Sequence, residues 1–140
     1  MLVAYSVPHA AFLTVLYLFG LLQLAQARTW RGAFYSGLSV GMLVASIRLD
    51  FFWRIFGTGA PALWFVYALW IGFFVVLARL SLTRLTSAIK WLLIPVLWLG
   101  LEYFRSELYY LRFSWLRPGF AFGALPALSP AHYLGGYGLG

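Results

Sequence analysis

The chain of 140 residues is 64% hydrophobic and 9% charged, where a soluble domain is about 45–50% apolar and about 25% charged. A chain this small cannot enclose such an apolar share in one interior, so a bilayer-covered surface is expected and a water-soluble fold is the poorer reading. The formal net charge of +7 comes from basic residues set singly between apolar runs, which speaks against a nucleic-acid stripe, and the lack of cysteine removes disulfides, thiolate metal sites and a cysteine nucleophile from these residues.

Charged residues cut the chain into uncharged runs, and about 20 apolar residues suffice to cross a bilayer. The first run predicts a span over 7–26, with Ser6 as cap and Pro8 in the first turn, closed by Arg28 and Arg31. Ala25-Gln26-Ala27 has the small-x-small form of a secretory cleavage site. No basic residue precedes this run and further apolar runs follow it, so an uncleaved span is the simpler account.

The second predicted span, 32–49, is long enough if Arg48 snorkels and Phe51 and Phe52 sit at the interface. Ala33, Gly37, Gly41 and Ala45 recur every four residues, a stripe that lets another helix come close and reads as packing rather than as a site. The third span, 60–79, starts at Gly57, Gly59 and Pro61 and has an uncharged body. The fourth, 87–104, needs Lys90 and Glu102 at opposite interfaces, and Pro95 lies inside it.

From Pro118 to Gly140 the chain is uncharged but holds six Gly and three Pro, too many breakers for one helix. The expectation is a re-entrant loop over 105–131, then a fifth span beginning at about His132 and cut short over 132–140. The fold class expected is thus an all-α membrane protein, one transmembrane domain over 1–140 with about four transmembrane helices, a Gly/Pro-rich loop and the start of a fifth helix. Charge leaves orientation tied: Arg28, Arg31, Arg79, Arg84 and Lys90 fall on one side, and Arg48, Arg54, Arg105, Arg112 and Arg117 on the other. The acids Asp50, Glu102 and Glu107 all lie on that second side.

Chemistry is concentrated where the fourth span ends, in Trp98-Leu99-Gly100-Leu101-Glu102-Tyr103-Phe104-Arg105-Ser106-Glu107. Glu102 and Arg105 share a helix face and are spaced to pair, with Trp98 one turn before Glu102. A plain interfacial helix end would account for them. The alternative is that Glu102 and Arg105 hold the loop or face a polar head group, with Arg105, Arg112 and Arg117 suited to phosphate. His9 and His132 have no ligand spacing, so no metal site is expected. No Ser, His and Asp set is oriented for catalysis, and the closing Gly-rich segment fails the spacing of a dinucleotide loop.

The segment "WLGLEYFRSELYYLRFSWLRPGFAFG", with Trp98, Glu102, Arg105 and Trp115, then Pro126, Pro130 and "LGGYGLG", resembles the membrane part of bacterial apolipoprotein N-acyltransferases. The upstream "RGAFYSGLSVG" is similar to that family's basic loop and following span. The resemblance covers roughly 31–140 and implies a multi-pass protein of the bacterial inner membrane carrying a periplasmic nitrilase-like domain. Such enzymes move an acyl chain from membrane phospholipid to the amino-terminal cysteine of a lipoprotein through a thioester on a catalytic Cys, aided by a Glu and a Lys and using no cofactor. Those groups belong to the nitrilase-like domain, so no catalytic residue is expected among these 140, which read as part of a longer product. Trp98, Glu102, Arg105 and Trp115 are then expected to support the loop or the lipid entrance. By the family's orientation the loops at Arg28 and at 79–90 are cytoplasmic, and Asp50 and 105–117 periplasmic. The rival reading is a free-standing small multi-pass protein that binds lipid or a partner without chemistry, girdled by Trp30, Trp53, Trp64 and Trp91. A transporter is a weaker rival, since no span carries a buried ionisable pair in its middle.

Overall fold

A computed structural model describes residues 12–110, and these are helical throughout apart from short connections. Helix α1 spans Phe12–Ala25, α2 Trp30–Arg48, the short α3 Phe51–Phe56, α4 Ala60–Arg84 and α5 Ser87–Tyr103. A 3₁₀ turn, Gly57–Gly59, joins α3 to α4, and a π-helical turn, Phe104–Leu108, follows α5. The described residues fall into two compact units, Gly20–Trp98 and, separately, 12–19 with 99–110. The expected start of the first span, most of the 105–131 loop and the 132–140 span lie outside the described residues.

The helix limits follow local chemistry. Thr29 caps α2, its Oγ1 accepting from the Gly32 N–H at 3.0 Å. Gly57 has φ +51°, a left-handed value that glycine takes without strain, and there the chain turns from α3 toward α4. Pro61 sits in the first turn of α4, where its missing N–H costs nothing. Helix α5 runs through Pro95 without ending.

Within the larger unit, α2 packs on α4 through the small-residue stripe. Ala33, Gly37, Gly41 and Ala45 are all buried. A Cβ on Gly41 would lie 2.7 Å from the Cα of Ala68, and one on Gly37 would lie 3.1 Å from the Cα of Gly72. The two backbones therefore approach closely along this stripe, which increases dispersion contact between them. Tyr67, Ile71, Phe74 and Val75 of α4 fill the rest of this core.

Helix α4 has 25 residues and is about 37 Å long, more than the roughly 30 Å hydrocarbon core of a bilayer. Together with α3 it forms the run Phe51–Arg84, the one helical stretch among the described residues that is long and apolar enough to cross a membrane. It continues past Arg79, where charge predicts the end of the span, to Arg84, and the Arg79 side chain turns to carbonyls at and after the end of α1. Large apolar side chains also face outward, among them Phe19, Leu43, Phe73, Leu92 and Val96. A surface of this kind is a liability in water and is at rest against hydrocarbon.

Two side chains of α4 close the ends of its neighbours. At one end, the Trp64 indole N–H donates to the carbonyl of Leu49, the residue that terminates α2, at 2.9 Å. Trp64 also stacks on Trp53 at 6.3 Å, so it is more than a girdle residue. At the other end, the Arg79 guanidinium donates to the carbonyls of Ala27 and Arg28, the latter at 3.1 Å, and reaches that of Ala25 at 3.4 Å. Its Cζ lies 5.8 Å from the Trp30 ring centroid. Ala25 is the last residue of α1, whose final carbonyls have no partner within the helix, and Ala27 and Arg28 lie in the connection that follows, so a side chain from α4 supplies the donors. This contact also puts the 26–29 connection and the Arg79 end of α4 at the same end of the unit.

Candidate functional site

The helical chain does not stop when its apolar run does. After Tyr103 it widens into the π-helical turn, with the Tyr109 N–H donating to the Phe104 carbonyl at 2.7 Å, and it then turns extended at Tyr109. Single π turns are rare and gather at functional positions.

The helical path sorts its side chains sharply. Glu102, Arg105 and Ser106 are 4%, 5% and 3% exposed, whereas Tyr103, Phe104, Glu107 and Leu108 face outward. Positions 102, 105 and 106 stand three and four apart and so share a face. A carboxylate, a guanidinium and a hydroxyl are thereby withdrawn from the surface at one point of an otherwise apolar helix. Withdrawing charges in this way costs several kcal/mol per ion unless partners compensate, so a solvated helix end does not describe this segment.

Trp98 belongs to the larger unit, where its ring meets Phe74 edge to face at 4.7 Å. That contact gives it a packing role. Its buried indole N–H has no hydrogen-bond partner among the described residues, nor has the Ser106 hydroxyl. Of the residues singled out by sequence, Glu102 and Arg105 thus come together on one buried face, Trp98 lies one turn earlier on the same helix, and Trp115 lies outside the described residues. Arg112, Arg117, His9 and His132 lie outside them as well.

Sequence reasoning passed over Ser106 and Arg79. Ser106 had a local signal, its spacing of four from Glu102. Arg79 had none, because its partners lie more than fifty residues away in the chain. Among the described residues no group of His, Cys, Asp or Glu is placed to hold a metal ion.

A model of one protein family, the apolipoprotein N-acyltransferase N-terminal domain, matches residues 1–140. No curated protein and no solved structure matches the chain.

Proposed function

The chain belongs to the apolipoprotein N-acyltransferase N-terminal domain family, and from that premise we propose that it is the multi-pass part of an inner-membrane enzyme that holds a periplasmic catalytic domain over a lipid entrance. The reaction is acyl transfer from a membrane phospholipid to the amino-terminal cysteine of a lipoprotein. These residues supply position and access rather than the nucleophile, since no cysteine is present among them.

The observation that carries this reading is the buried row Glu102, Arg105 and Ser106. Polar groups withdrawn into an apolar helix end are expensive, and in membrane proteins they mark working positions. In the proposed role Arg105 balances Glu102, and the pair braces the chain that follows the π turn, with Trp98 and Trp115 shaping the wall beside it. The membrane setting rests on the family and on the outward apolar faces of the helices. Phospholipid and lipoprotein are the partners.

The test is Glu102→Gln in this chain joined to a nitrilase-like domain, in cells that depend on it for lipoprotein acylation. The amide keeps the shape and removes the charge that Arg105 would balance. The expected outcome is a fall in acyl transfer of about tenfold or more, which is about 1.4 kcal/mol of lost positioning, with the protein still present in the membrane. Transfer at the wild-type rate would contradict the role given to the row.

A further inference from the structure

Where α4 ends and α5 begins, the two helices leave a groove of about 330 Å³, at the small end of ligand pockets, which run to about 300–1,000 Å³. Leu77, Leu80, Leu93 and Leu97 line its length, and Leu85 lies in the connection between the helices. Ser81 also lines it, but its hydroxyl donates to the Leu77 carbonyl at 3.0 Å, so the groove has no free polar group along its floor. One charged residue lines it, Arg84, in the last turn of α4.

The charges around this groove are all of one sign. No acidic residue occurs between Asp50 and Glu102, so no carboxylate of α4, of α5's first turns or of their connection competes for Arg84. The first turn of α5 likewise contains no acid and includes Lys90. Arg84 stands seven residues from Leu77 on α4, about 10 Å along the axis. A cation at one end and a leucine channel leading away from it match the two ends of an anionic lipid.

We propose that this groove binds one anionic phospholipid, its phosphate against Arg84 and part of one acyl chain along Leu77, Leu93 and Leu97. The occupant is a lipid rather than a free anion because a soluble phosphate would leave the leucine channel unfilled. It is an anionic lipid rather than any bilayer lipid because none of the residues lining the groove or joining its two helices supplies a carboxylate to neutralise Arg84. The arrangement fits the negative surface of a cytoplasmic leaflet, where each basic residue adds about 1 kcal/mol of attraction. The other large groove of this unit differs on this point. It runs along Leu38, Met42, Leu43 and Phe65, and its Ser39 and Ser46 hydroxyls bond back to the Tyr35 and Leu43 carbonyls. No charged residue lines it, so it has no means of selecting a head group.

The proposal rests on a membrane location for the chain but not on the Glu102 row. A Glu102→Gln chain that fails in acyl transfer should still select the anionic lipid, so the two readings fail separately. The experiment is native mass spectrometry of the whole chain released from detergent micelles, titrated with dioleoyl phosphatidylglycerol or dioleoyl phosphatidylcholine. One retained phosphatidylglycerol is expected, preferred about fivefold over phosphatidylcholine, the ratio that corresponds to about 1 kcal/mol for one basic residue. Arg84→Gln should abolish the preference, Leu93→Trp should remove the adduct by filling the groove, and Arg54→Gln, near the opposite end of α4, should change neither. Equal retention of both lipids by the unaltered chain, or an undiminished preference in Arg84→Gln, would overturn the proposal. Displacement of the adduct by glycerol phosphate would overturn it too, by showing that a free phosphate suffices.

Discussion

A guanidinium at the end of an apolar helix is usually assigned to the interface as a loose anchor, yet Arg79 spends its donors on backbone. Its fork reaches the carbonyls of Ala25, Ala27 and Arg28 while its cation lies over Trp30. Only a planar, multi-donor group serves several carbonyls from one position. Replacing it by methionine keeps most of the apolar stem and leaves those carbonyls unmet, and the expected loss is about 2–3 kcal/mol, the worth of one or two charge-assisted bonds. Arg79→Lys should recover only part of that, because a single ammonium cannot span the set. Unfolding in detergent micelles followed by tryptophan fluorescence measures both variants. Wild-type stability in Arg79→Met would show that the clamp contributes nothing. Trp64 makes the matching contact on Leu49, so the two ends of one helix hold two different neighbours.

At the scale of elements, the α2 and α4 pair depends on what its glycines lack. A methyl on Gly41 would meet the Ala68 Cα at 2.7 Å, and main chain cannot swing aside as a side chain can. Gly41→Ala is therefore expected to destabilise by about 1–3 kcal/mol, the usual cost of overpacking. Gly100, in α5, has nothing within 4 Å of the position a Cβ would take. Gly100→Ala should leave stability unchanged or raise it by about 0.5–1 kcal/mol through reduced backbone freedom. The same unfolding assay compares the pair, and equal effects of the two substitutions would mean that the helices do not meet at this stripe.

The stripe was legible because four-residue periodicity is a local pattern that any helix converts into a face. The bodies of the four longer described helices were legible for a similar reason, since uncharged runs act within a few residues; the short α3 and the Thr29 cap were not read from the sequence. The contacts of Arg79 were not legible, because its carbonyl partners lie more than fifty residues away in the chain. The site was half legible. Glu102 and Arg105 stood out as charges in an apolar context, but their burial and the company of Ser106 follow from packing and from the π turn, which no local pattern announces.

For the molecule as a whole, we propose that α4 crosses a membrane with the Arg79 end cytoplasmic and the Gly57 end periplasmic. The tied charge count leaves that direction to the family's orientation and to the contact of Arg79 with the 26–29 connection. The chain has no cysteine, so one introduced thiol is a clean reporter. Thr58, ahead of α4, and Thr86, after it, are both exposed and lie at its opposite ends. The most direct measurement is therefore to place Thr58→Cys and Thr86→Cys in separate chains and treat intact cells, with the outer membrane opened, with a membrane-impermeant thiol reagent. Labelling of the Thr58→Cys chain alone is expected, with the Thr86→Cys chain reacting only after lysis. Labelling of both chains in intact cells would show that α4 does not cross, and labelling of the Thr86→Cys chain alone would reverse its direction; either contradicts the account.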